Sequence, residues 1–226
     1  MVERISTGIP GLDDLIEGGF PENSVTLVSG GAGTGKTIFS SQYLWHGLEN
    51  GENCLFVTLE EEPDEIKADA AEFGWTFDKY EDDAFNIIYI NPFKDAGGFA
   101  DRIREEIEEI GADRVVIDST STMGMYSDDP GKIRERLYGV VRKLRRADVT
   151  SIITSEVTDN VGSQLSRFGV EEFVADGVIN LTGFSLGESS FRSLQVVKMR
   201  KTDIAEDICS LDISADGISV EQEETL

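Results

Sequence analysis

Val25-Thr26-Leu27-Val28-Ser29-Gly30-Gly31-Ala32-Gly33-Thr34-Gly35-Lys36-Thr37 is the stretch on which the architecture turns. Its first five residues form a β-branched and apolar run of strand length. Gly30 to Thr37 then spell G-x-x-x-x-G-K-T, and Lys36 to Leu48 reads as a helix. A strand, a glycine-rich turn and a helix, in that order, is the context in which this motif builds a phosphate cradle. Glycines let the backbone curl so that successive N–H groups converge on phosphate oxygens, and the helix amino end adds positive potential. Gly30, Gly31, Ala32, Gly33, Thr34 and Gly35 are therefore assigned to nucleotide phosphates. Lys36 is assigned to the β- and γ-phosphates, and the Thr37 hydroxyl to Mg²⁺.

Outward from this turn, apolar runs alternate with amphipathic ones. Strands are expected at 53–59, 86–90, Arg114–Asp118 and 149–154, and helices near 64–73, at Phe99–Ile110 and at Pro130–Arg146. Asp129 can cap the last helix, Pro130 suits its first position, and Arg145-Arg146 complement its carboxyl end. Continuous β-branched runs between helices imply a parallel sheet covered on both faces. From Gly177 onward the pattern changes to strands and turns, with Gly187-Glu188 and Asp216-Gly217 as turn signals. The expected fold is a mostly parallel α/β sheet flanked by helices, ending in an antiparallel β extension. With neither a linker nor an internal repeat, residues 1–226 read as a single domain.

Two carboxylate elements accompany the phosphate turn. Arg114-Val115-Val116-Ile117-Asp118 is an apolar strand ending in an acid, and Asp118 there can hold Mg²⁺ directly or through water. Thr58-Leu59-Glu60-Glu61-Glu62-Pro63 ends another buried strand, and a carboxylate at that place can polarise an attacking water. Strand alternation would send Glu60 and Glu61 to opposite sides, leaving one of them facing the γ-phosphate. An acidic solvated loop is the plainer reading of the same residues. Ser119-Thr120-Ser121-Thr122 reads as capping and turn hydroxyls. In the last third, Lys198 and Arg200 project from one side of a strand, either as a phosphate-facing pair for a neighbouring subunit or as charges protecting a sheet edge.

Composition excludes several classes. The chain has 226 residues, 20 Lys+Arg against 44 Asp+Glu, and a net charge of −24. A hydrophobic content of 39% is too high for a disordered acidic chain. No run is long enough to span a bilayer, Met1-Val2-Glu3-Arg4 does not open a secretory signal, and Cys54 and Cys209 make no disulfide framework, so a cytoplasmic protein is expected. The acids are dispersed and only 8 Lys stand beside 12 Arg, as in proteins soluble in very salty cytoplasm, so a halophilic protein is expected. Binding to nucleic acid or to an anionic membrane is disfavoured. Seven of the 20 cations lie on helix Pro130–Arg146, which reads as a sheet-covering helix with a basic solvated side or as a partner surface. His46, Cys54, Cys209, Trp45 and Trp75 read as structural.

The chain resembles the KaiC-type branch of the RecA superfamily over nearly its whole length. The resemblance is carried by Ser6 to Leu15, Gly18-Gly19-Phe20-Pro21, the phosphate turn, Phe56 to Pro63, Phe168 to Asp176, and Val197-Lys198-Met199-Arg200. It implies a RecA-like P-loop NTPase core, Mg-ATP at subunit interfaces, and a homo-oligomer that is commonly a hexameric ring. It further implies that Lys198 and Arg200 act in trans and that Glu60, ahead of Glu61, is the base. The clock protein of this family phosphorylates a Ser-Thr pair in the second of its two domains. That pair falls at Glu171-Glu172 here, so ATP hydrolysis is expected rather than autokinase activity. Unlike the family pattern, Lys201-Thr202-Asp203 is followed by no further basic residue.

The leading expectation is a Mg-dependent, oligomeric ATPase working as a regulatory or signal-transduction switch with a protein partner. The alternative is a recombinase paralogue that binds single-stranded DNA in an ATP-dependent way. Against it, the stretch Val157–Gly169, where such contacts would fall, holds one cation, Arg167, with Phe168 as a stacking aromatic.

Overall fold

The computed structural model describes residues 2–81, 83–91, 98–124, 129–157, 165–186, 189–205 and 207–222. The elements run β1 (Arg4–Ile5), α1 (Leu12–Leu15), β2 (Phe20–Pro21), β3 (Val25–Gly30), α2 (Lys36–Glu49), β4 (Cys54–Thr58), α3 (Pro63–Ala71) and β5 (Phe85–Tyr89). They continue as α4 (Phe99–Ile110), β6 (Arg114–Asp118), α5 (Pro130–Arg146), β7 (Thr150–Glu156), α6 (Glu171–Val174), β8 (Gly177–Leu186), β9 (Ser189–Met199), β10 (Ile208–Ser214) and β11 (Gly217–Glu221). Every expected strand and helix is present to within a few residues. The Asp129 cap is made through a 2.9 Å bond from the Gly131 N–H. The Gly187-Glu188 turn and residues 158–164 lie outside the described residues.

Among the described residues one nine-stranded sheet has the order β11-β10-β9-β8-β3-β7-β6-β4-β5. All pairings from β8 to β5 are parallel, whereas β8–β9, β9–β10 and β10–β11 are antiparallel. This is the mostly parallel sheet with an antiparallel carboxyl-terminal extension that the pattern implied. The continuous apolar runs are explained by burial on both faces. Phe56, Val116 and Ile152 point into a core beneath α1 and α2, while Leu55, Val57, Ile117 and Ile153 point into a second core beneath α4 and α5. Each such side chain, wholly withdrawn from water, contributes about 1.5–3 kcal/mol before the entropy of ordering is subtracted.

The extension is tied back onto α2. Gln42 accepts the Ile218 N–H at 2.6 Å and donates to the Ile218 carbonyl at 3.0 Å. That contact holds Ile213 and Ile218 against the phosphate turn. A Cβ on Gly35, whose φ is +99°, would lie 2.9 Å from the Ile213 side chain, so the turn has no room for a larger residue there. Arg114 braces the same side of the sheet and is 1% exposed. It pairs with Glu52, donates to the Ser6 and Tyr43 carbonyls at 3.0 Å each, and lies over the Tyr43 ring. His46, Trp45 and Trp75 are packed as structural residues. Trp45 meets Phe77 and Tyr80 edge-on, and Trp75 stacks on Phe73.

Candidate active site at the carboxyl ends of the parallel strands

The phosphate turn follows β3, which lies between β7 and β8, and the carboxyl ends of β7, β6 and β4 follow in order on one side. In an open parallel sheet this rim is where ligands bind, because strand ends and helix starts converge there. Gly30 sits against the backbone of β8; a Cβ there would be 2.4 Å from the Leu181 carbonyl oxygen. Lys36 folds over the turn and donates to the carbonyls of Gly30 and Gly31 at 3.1 and 2.8 Å. Burial lowers its pKa, and the nearby carboxylates Asp118, Glu156 and Glu60 oppose that shift. A half-buried ammonium bound, among the described residues, to main-chain oxygens is poised to exchange them for phosphate oxygens.

Thr37 and Asp118 meet across the sheet. The Thr37 hydroxyl donates to Asp118 Oδ2 at 2.8 Å, and the Thr154 hydroxyl, from β7, donates to Asp118 Oδ1. Asp118 is 8% exposed, and burial raises its pKa against the pull of these two hydroxyls and Lys36. A buried acid with a raised pKa, beside a hydroxyl at the start of a helix, is short of positive charge. Both groups are hard oxygen donors of the kind Mg²⁺ takes while keeping waters and phosphate oxygens as its other ligands. The donor set therefore fits a phosphate-bound Mg²⁺. No cluster of three or more His, Cys, Asp or Glu side chains able to hold a metal occurs among the described residues.

Glu60 and Glu61 depart from the strand reading. β4 ends at Thr58, so the alternation that would have separated them stops before it reaches them. Instead the Thr58 hydroxyl accepts the Glu61 N–H at 3.1 Å and donates to the Glu61 carbonyl at 2.7 Å, closing a tight turn. Both carboxylates then line one cleft with Thr37, Thr58, Ile66 and Asp118. The cleft offers about 20 Å³, room for a water molecule. Burial raises the pKa of both acids, with Asp118 adding to it in each case. Among the described residues, Glu60 alone of the two is held by a side chain: Ser119 donates to Glu60 Oε1 at 2.9 Å. In sequence Ser119 reads as a turn hydroxyl and Thr154 as an ordinary strand residue, yet each bonds a carboxylate of the site. The adjacency of Ser119 to Asp118 was the one available signal; Thr154 offered none, since Ser and Thr are common in buried strands.

Lys198 and Arg200 lie elsewhere. Gly177, at the start of β8, pairs with Met199 on one side and with Thr26 on the other, so the two cations sit at the opposite end of β3 from the turn. Four residues of strand separate Thr26 from Gly30, about 13 Å. Lys198 donates to the carbonyls of Glu172 and Ala175 at 2.8 Å each, and burial lowers its pKa, with Arg200 adding to it. Arg200 pairs with Asp176 at 3.4 Å. Arg145 of α5 grips the same carboxylate through two bonds, at 2.8 and 3.2 Å. Glu171, one of the two acids expected where a phosphorylated pair would fall, is wholly buried and accepts from Ser155, Ser166 and the N–H groups of Phe168 and Val170.

A strand–turn–helix phosphate loop with a hydroxyl and an acid converging beside it defines the nucleotide-binding class of P-loop proteins. Comparison with known proteins narrows this. A family model described as "ATPase: KaiC" matches residues 5–225, and the chain belongs to that family of ATPases. A UPF0273 protein of Pyrococcus furiosus is 38% identical over the whole chain and 97% of its own length. The circadian clock protein KaiC3 of Synechocystis is 34% identical over 89% of this chain, which spans 42% of that protein. The crystal structure of a KaiC-like protein from Pyrococcus horikoshii superposes with a TM-score of 0.88 at 38% identity, covering 98% of this chain and all of that one. The fold is thus the RecA-like one of the KaiC-like ATPases. No helix among the described residues is long and apolar enough to cross a membrane.

Proposed function

We propose that this chain is a Mg-dependent ATP hydrolase that works as a homo-oligomer, its 226 residues forming one ATPase domain. The observation that carries the reading is the meeting of Lys36, Thr37 and Asp118 beside a water-sized cleft walled by Glu60 and Glu61. In this reading the N–H groups of Gly30–Gly35 and the Lys36 ammonium hold the β- and γ-phosphates. Thr37 and Asp118 would hold Mg²⁺, which when bound offsets charge on the phosphate oxygens. Glu60, oriented by Ser119, takes a proton from the attacking water as its oxygen bonds to the γ-phosphorus. The bond to the bridging oxygen breaks, and ADP carries away that electron pair. Glu61 is the outer carboxylate of the same cleft.

Lys198 and Arg200 are too far from their own phosphate turn to touch its nucleotide. In an oligomer, a hexameric ring included, they would serve the nucleotide of the next subunit, where a cation stabilises charge developing on the transferred phosphoryl group. The buried and fully bonded Glu171 favours hydrolysis over autophosphorylation, since it offers neither a hydroxyl nor an exposed position. We place the protein in the cytoplasm as a regulatory or signalling switch acting on another protein, with its dispersed acidity adapted to high salt.

The test is complementation between two inactive variants. Glu60→Gln should bind ATP and lose most turnover; Arg200→Ala should do the same in the assembled state. Mixed subunits should regain activity at the junctions that join an intact Glu60 to an intact Arg200. A Glu60→Gln variant with wild-type turnover overturns the assignment of the base, and a mixture as inactive as its parts overturns the trans role of Arg200.

A further inference from the structure

We propose that the solvent face of α5 is a docking surface for α3 of a second copy of this chain. The proposal rests on the trans reading of Arg200 given above. Arg134, Tyr138, Arg142 and Arg146 are all exposed and follow one another at intervals of four residues, so they form a single stripe along α5. At 1.5 Å per residue the stripe is about 18 Å long. Tyr138, near its middle, is 49% exposed.

Two other cations of this helix have found acids within the chain, Lys143 on Asp101 and Arg145 on Asp176. Arg134, Arg142 and Arg146 form no ion pair among the described residues. Arg142 and Arg146, four residues apart, also repel one another.

The complement is α3. Glu62, Glu65, Asp69 and Glu72 are all exposed and lie at spacings of three and four residues. None of the four is in an ion pair among the described residues, although Asp64 of the same helix pairs with Lys67. Their stripe is about 15 Å long, close to that of the cations. The repulsion is felt locally: after burial and Asp118, Asp69 and the neighbouring acids hold the Glu61 carboxyl above its ordinary range.

Placement selects the occupant. Arg145 and Arg200 share Asp176, so the carboxyl end of α5 and the trans-acting cation lie on one face. Glu60 and Glu61 lead directly into α3, so the base and the acidic stripe lie on another. A copy that delivers Arg200 to the nucleotide of its neighbour carries Arg142 and Arg146 toward Glu62 and Glu65 of that neighbour.

The test is reciprocal charge reversal, read as ATP-dependent mass by light scattering with melting curves as folding controls. Arg142→Glu with Arg146→Glu, and separately Glu65→Arg with Asp69→Arg, should each raise the concentration for half-assembly roughly tenfold or more. All four changes in one chain should restore assembly. The neutral pair Arg142→Gln with Arg146→Gln should fall between wild type and the reversal. Wild-type assembly by either reversed double, or failure of the quadruple variant to recover when it melts like wild type, overturns the proposal. So does retention of a fluorescent single-stranded oligonucleotide that is lost on reversing α5. The Glu60→Gln and Arg200→Ala mixture reads the trans role separately: restored activity there, with assembly indifferent to the stripes, removes the docking surface and leaves the trans arginine standing.

Discussion

Removing one hydroxyl, Ser119→Ala, isolates the device that orients the base. Ser119 is 3% exposed and donates to Glu60 Oε1 at 2.9 Å. A hydrogen bond to a charged group is worth about 1.5–3 kcal/mol, and the solvent exposure of Glu60 puts this one near the lower figure. Burial already pushes the Glu60 pKa up, and the Ser119 bond is the first force opposing it. Without the bond the carboxylate keeps its proton to higher pH. A base works only when ionised, so turnover falls as pH drops through its pKa, and the acid limb of kcat should move upward. At 1.36 kcal/mol per unit, the displacement is about one pH unit. Steady-state phosphate release at saturating Mg-ATP, measured for both proteins over the same pH range, gives the difference directly; the charge of the bound metal is common to both. Ser119→Thr, which restores a hydroxyl, should bring the limb back. The Ser121 N–H also loses its 3.3 Å acceptor, which costs about 0.5–1.5 kcal/mol of stability and a few degrees of Tm. A limb left in its wild-type position by Ser119→Ala refutes the positioning of Glu60 by this residue.

Two further expectations concern the metal and the scaffold. Thr37→Ala removes a proposed Mg²⁺ donor and leaves Asp118 Oδ2 without its 2.8 Å partner; turnover should fall at least tenfold and require more Mg²⁺ for half-maximal rate, as a metal titration would show. An unchanged Mg²⁺ requirement argues against the donor pair. Arg114→Ala strips the partner from Glu52 and two main-chain carbonyls, a loss of about 3 kcal/mol, or about 6–12 °C in Tm for a chain of this size. Thermal melts by circular dichroism measure it, and a shift under a degree or two would mean that water replaces the guanidinium without cost.

The phosphate turn, the Asp118 strand end and the order of helices and strands were legible because each depends on neighbours in the chain. Backbone freedom at Gly35, the β-branched run of β3 and the Asp129 cap act over a few residues, and periodicity records which faces are buried. The same rule misread Glu60 and Glu61, since alternation holds only while the strand lasts and β4 ends at Thr58. What completes the cleft comes from far along the chain: Thr37 meets Asp118 across 81 positions, and Ser119 meets Glu60 across 59. Those distances are closed by the parallel order β3-β7-β6-β4, which brings four strand ends to one rim. The fate of the scarce cations was likewise beyond pattern. Lys198 and Arg200 read equally as an edge guard or a phosphate pair, until the pairing of Gly177 with Thr26 and Met199 put them at the far end of β3. Hydrogen-bonded register, a property of strands from distant parts of the chain, is what separates them from the phosphate turn.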